Sequence, residues 1–186
     1  MCYNKATTIQ KGALHMPAPA SRVLHLALPG RIDLAQAARY LGARGEPDAA
    51  TLALLERWAP PLLAAADPRG VYLQGDKEAL AFLWQGQDVQ RHLAGCTQAV
   101  LLAVTLGAGV DAQIRRAGVG DVAAQAATDA LASALAEQVC DEAEARLRAE
   151  AQSQGLYLTG RYSPGYGDWP IAVQPRLAAV LDTPRR

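Results

Sequence analysis

Residues Val119 to Gln152 read as one helical stretch that opens behind Asp121 and closes before Gly155, and nothing else in the chain limits its fold so tightly. The first half is nearly all Ala, Val and Leu, while polar side chains fall in a single row: Asp121, Gln125, Asp129, Ser133, Glu137 and Asp141. Steps of four keep such a row on one slowly drifting face. A helix that is apolar nearly all round has to be packed on most sides, which leaves the stripe facing water or a polar cleft. With 186 residues, 51 % of them apolar, the chain is long enough to bury a real core.

The remaining elements are shorter. Asp33 is placed to cap a helix over Ile32–Leu41 that stops at Gly42, and a second helix starts at Pro47 and Asp48 and is broken by Pro60 and Pro61. VYLQ and ALAFLW, split by GDKE, predict two strands or a hairpin beyond Gly70. GQDVQRHLAGC predicts a helix of one or two turns capped by Asp88, and AVLLAVT, Ala99 to Thr105, a central strand buried on both faces. Residues 1–21 read as a tail or an edge segment, and residues 22–186 as a single domain.

Several function classes are excluded or weak. The 18 basic and 18 acidic side chains balance, so no global field draws nucleic acid or an anionic membrane. Cys2, Cys96 and Cys140 form no CxxC pair and have no histidine at ligand spacing, so neither a disulfide framework nor a metal site is indicated. The N-terminus carries no apolar run of signal-peptide length and no stretch approaches a membrane span, which points to a cytoplasmic chain. LGAG after the central strand imitates a Rossmann loop, yet the third glycine and the acidic strand tip are missing; Gly107 and Gly109 then simply turn the chain. His92 and Cys96, four residues apart, have no third partner, so no catalytic residue is assigned.

RYSPGYGDWP, residues 161–170, is different, because it gathers three of the ten aromatic residues where helix and central strand are disfavoured. Arg161 can grip a carboxylate, Gly165 and Gly167 let a ligand approach bare backbone, and Tyr162, Tyr166 and Trp169 offer flat faces to a purine or a cation. The same residues also suit a reverse turn whose aromatics cap a small core, and residue types alone leave both readings open.

The longer run YLTGRYSPGYGDWPIAVQPRL resembles the signature of the methionine synthase activation (reactivation) domain family, in which R-x-S-P-G-Y-G-D-x-P-x-x-x-Q recurs. HLAGC, AVLLAVTLGAGVD and the long Ala-rich helix follow the family's order of elements, so the similarity covers roughly residues 30–182 and is most specific at Pro-Gly-Tyr. The resemblance implies an α+β fold, a twisted and mainly antiparallel sheet with flanking helices. It also implies binding of S-adenosylmethionine through Arg161, Ser163, Gly165 and Tyr166. Asp168 and Trp169 would anchor the turn to the following helix. The family's acidic ligand contact falls on Ser133 here, with Glu137 one turn further along in its stead. Relatives continue beyond the point where this chain stops at LDTPRR, through a strand-rich segment that this chain is expected to lack.

The implied role is reactivation. Cobalamin held by a methionine synthase module would be remethylated from S-adenosylmethionine after one-electron reduction by a flavodoxin-type donor, with this chain positioning the methyl group and not forming a complete enzyme alone. The alternative is a non-catalytic interaction protein that docks on a corrinoid protein without binding S-adenosylmethionine. An ordinary small-substrate methyltransferase would require LGAG to cradle the ligand.

Overall fold

The computed structural model describes residues 2–6 and 20–183. In chain order its elements are β1 (Cys2–Ala6), β2 (Arg22–His25), α1 (Leu34–Tyr40), α2 (Ala49–Ala65), β3 (Arg69–Asp76), α3 (Gln87–His92), β4 (Cys96–Thr105), α4 (Ala108–Ala117), α5 (Val122–Ser153), β5 (Tyr157–Leu158) and α6 (Gln174–Leu181). The fold is α+β. One sheet has the order β2-β3-β4-β1-β5, and the ladders joining β4, β1 and β5 are antiparallel. Cys2 pairs with Leu101 and Asn4 with Ala99, and the register shifts between Lys5 and Ala6. Residues 2–6 therefore lie inside the sheet, with the predicted central strand on one side and β5 on the other. Among the described residues no helix is long and apolar enough to cross a membrane.

The chain divides into two compact units. The first takes the described residues up to Leu24, Gly70–Ala103 and those from Glu144 onward; its core includes Val71, Leu73, Leu83, Leu101, Trp169 and Leu177. The second takes His25–Arg69 and Val104–Ala143, with a core that includes Leu55, Leu62, Leu106, Val110, Leu131 and Leu135. Each fully buried leucine of this kind stabilises the fold by about 1.5–3 kcal/mol relative to exposure.

The long helix follows its sequence closely. Asp121 Oδ1 accepts the Ala124 amide at 2.9 Å, and Gly155, at φ +69°, lies just past the last turn. No residue from Ala130 to Cys140 is exposed. Along the polar row Asp121, Gln125, Asp129 and Asp141 are exposed, whereas Ser133 and Glu137 are half-buried, so the middle of the stripe is partly covered. Asp33 and Asp48 cap α1 and α2 through the Gln36 and Thr51 amides.

Two local expectations are overturned. Helix α2 runs through Pro60 and Pro61 instead of breaking there. Each proline withholds an amide from the carbonyl four residues earlier, here Glu56 and Arg57. All four residues lie on the exposed side, where water can meet the freed carbonyls, while Leu55 and Leu62 hold the opposite side in the core. ALAFLW is likewise not a strand. Asp76 Oδ1 accepts the amides of Glu78 and Ala79, which starts a helical turn, and a 3₁₀ turn follows at Ala81–Leu83. Leu80, Leu83 and Trp84 are then buried at the helical spacings of three and four rather than in alternation.

Because Pro61 is exposed on α2, Pro61→Ala should restore a donor for the Arg57 carbonyl and stabilise the chain by about 1–2 kcal/mol. Denaturant midpoints of the two chains measure this. A lower midpoint for the variant would show that the proline is demanded by its surroundings.

Candidate functional site

The stretch 161–170 folds by bonding to itself. The Tyr166 amide donates to Ser163 O at 3.1 Å, the Trp169 amide to Tyr166 O at 3.0 Å, and the Gly165 amide back to Trp169 O at 2.8 Å. Tyr166 O also accepts the Tyr162 hydroxyl at 3.1 Å. Pro164 is buried beneath the turn, whereas Tyr166 is 59 % exposed. A Cβ on Gly165 would find nothing nearer than Ile171 Cδ1 at 3.9 Å, so the approach to that backbone is open.

The turn is anchored at Trp169 and Asp168, but not to the following helix. Trp169 is 1 % exposed; its indole N–H donates to Leu83 O at 2.8 Å, and its ring lies 6.1 Å from Trp84 and 6.0 Å from Tyr162. Asp168 Oδ2 accepts the Gln87 amide at 2.7 Å and Oδ1 the Asp88 amide at 2.9 Å, while Asp88 Oδ2 accepts the Asp168 amide at 3.1 Å. The cap of α3 thus comes from Asp168, not from Asp88 as its sequence suggests. Asp88 sits inside the first turn, and the orphan amides there need an acceptor that the local sequence, with Gly86 at the N-cap, does not offer. Close approach excludes side chains at two points. A Cβ on Gly86 would collide with Asp168 Oδ1, and one on Gly167, at φ +53°, with Asp88 Oδ2 and the Tyr162 hydroxyl.

Other groups complete the loop's surroundings. His92 stacks on Tyr162 with ring centroids 4.9 Å apart, and its Nε2 lies 3.0 Å from Gly160 O. Cys96 is buried in β4, and the chain turns at Gly95 between His92 and the thiol. Burial, followed by the carboxylates of Asp88 and Asp168, raises the Tyr162 phenol above its ordinary pKa, keeping it a donor to Tyr166 O. Arg161 is mostly covered, and its Nε lies 3.5 Å from Glu144 Oε2. Glu144 also receives Arg148, whose other nitrogen donates to Leu158 O at 2.8 Å. A carboxylate for Arg161 is therefore supplied from within the chain.

Of the residues expected to bind ligand, Arg161, Ser163, Gly165 and Tyr166 share this loop in the first unit, and Glu137 belongs to the second. Sequence reasoning missed Glu144 and the pairing of Asp88 with Asp168. The i, i+4 spacing of Glu144 and Arg148 was the only local signal for the first, and nothing local marks a pair 80 residues apart. In the second unit, Gly107 opens α4 at φ +84° and Gly109 lies so close to the Ala65 carbonyl that a Cβ would collide with it. That unit also carries a cleft of about 780 Å³ lined by residues including Arg31, Ile32, Leu34, Glu56, Pro60 and Gln138, with Gln138 bridging Arg31 O and the Asp33 amide. None of the expected ligand residues lines it.

The amides of Asp88 and then Gln87 hold the Asp168 carboxyl below its ordinary pKa. Its folded value is therefore below its unfolded one, so its contribution is complete above about pH 4 and is lost as pH falls through the lowered folded value. Urea midpoints measured from pH 7 to pH 2 should show an acid loss of stability that is smaller in Asp168→Asn; an unchanged acid slope in the variant would refute this linkage. No protein-family model matches the chain, and no curated protein matches it in sequence.

Proposed function

We propose that the loop at 161–169 binds S-adenosylmethionine, and that the chain is an activation-domain-like module serving a cobalamin-dependent methionine synthase. The observation that carries this reading is the exposed Tyr166 ring beside the open backbone of Gly165, on a turn braced from behind by Trp169 and Asp168. A flat aromatic face suits both a purine and a sulfonium, and bare backbone lets either approach closely. When bound, S-adenosylmethionine supplies an activated methyl group for the cobalt of a cobalamin held by the partner, with a flavodoxin-type protein as reductant. This chain's residues would orient that ligand: Tyr166 against its cationic or purine face, Gly165 and Ser163 along its edge, and Arg161, through Glu144, fixing the base of the loop. Such work is positioning, and it requires no proton relay. Glu137 has no assigned part in it.

The same turn supports a second reading, a docking element without a ligand. The Gly165 amide and the Ser163 and Tyr166 carbonyls are already bonded within the loop, and Arg161 already faces Glu144. A chain of that kind would hold a corrinoid-binding partner and ignore S-adenosylmethionine.

Calorimetry separates the two. Titrating the intact chain with S-adenosylmethionine should give saturable binding that Tyr166→Ala weakens about tenfold, the equivalent of ~1.4 kcal/mol for a ring–cation or ring–purine contact. The exposed position of Tyr166 lets that variant fold normally. Absence of binding by a folded wild-type chain would eliminate the first reading, and unaltered affinity in the variant would place the ligand elsewhere.

A further inference from the structure

The bonds between Asp168 and α3 do more than end a helix. They fasten one side of the candidate loop to a segment 80 residues earlier by three carboxylate–amide hydrogen bonds, two into the α3 N-terminus and one returned by Asp88. Arg91 lies against the same Asp88 carboxylate. The fit leaves no slack, since a methyl group on either Gly86 or Gly167 would strike one of the two carboxylates. From Asp168 a short bonded path leads to the exposed ring: the Trp169 amide donates to Tyr166 O, which also takes the Tyr162 hydroxyl, and Tyr162 is stacked between His92 and Trp169.

We infer that Asp168 is a positioning residue, whose exchange of hydrogen bonds with Asp88 holds Gly165 and Tyr166 in one place before any ligand arrives. The carboxylate is bonded to the α3 amides, so it acts on the loop through the backbone. Losing it leaves the turn's internal bonds chemically intact but free to open, which raises the cost of ordering the loop on binding. The inference about loop order stands on geometry alone; its consequence for affinity rests on the ligand reading proposed above.

Amide hydrogen exchange on the intact chain tests it, with Asp168→Ala removing both acceptor oxygens and Asp168→Asn keeping one. The Gly165 and Tyr166 amides, neither of which bonds to Asp168, should exchange at least tenfold faster in Asp168→Ala than in the wild type, with Asp168→Asn between them, while the Leu131 and Leu135 amides of α5 stay unchanged. The dissociation constant for S-adenosylmethionine should rise in the same order. Unchanged exchange at Gly165 and Tyr166 in a folded Asp168→Ala chain would overturn the inference, as would equal acceleration at Leu131 and Leu135, which would signal global destabilisation. If the wild type binds no S-adenosylmethionine, the ligand reading fails by itself and the order of exchange rates alone decides whether Asp168 positions the loop.

Discussion

Cover for α5 is the requirement that the rest of the chain answers. Up to Val139 the helix turns Ala127, Leu131, Ala134 and Leu135 into the core of one unit, and no local substitute could shield so long an apolar surface from water. Past Ala143 the same helix changes character. The residues from Glu144 onward belong to the other unit, where Glu144 meets Arg161, Arg148 meets Leu158 O, and Glu150 accepts the Tyr72 hydroxyl at 2.8 Å beside Arg22. The helix thus contributes apolar residues to the core of one unit and charged anchors within the other, and the anchor at Glu144 sits at the base of the candidate loop.

How much of this was legible depended on how far apart in sequence the causes lay. The α5 boundaries, the caps at Asp33 and Asp48 and the buried strand at β4 are set by neighbours within a few residues, and they stand where composition and spacing place them. The failures had wider causes. Pro60 and Pro61 persist in a helix because Leu55 and Leu62 are held in a core that the local sequence does not reveal. ALAFLW is a set of strand-forming residues turned helical by Asp76, whose side chain competes for the backbone amides. The cap of α3 was misplaced because its acceptor lies beyond two strands and two helices, β4, α4, α5 and β5.

The candidate loop shows the same division. Its membership, Arg161 to Trp169, was readable from aromatics, glycines and a proline gathered in one irregular stretch. What each residue faces was not. Arg161 turns to Glu144, Trp169 to Leu83, and Asp168 to α3, so three of the polar handles that residue type alone offers to a ligand are occupied by the protein. Tyr166 and Gly165 keep an open side, and the functional reading rests on them.

The remote cap on α3 also bears on the order in which the molecule can assemble. A six-residue helix is too short to persist on its own in water, and the acceptor for its leading amides is made about 80 residues later. Because synthesis proceeds from the N-terminus, α3 waits through the emergence of β4, α4, α5 and β5 before Asp168 arrives to complete it. The loop and the helix that braces it therefore mature together, as a late, long-range event, and a ribosome-bound chain that stops before Asp168 lacks the acceptor that both depend on.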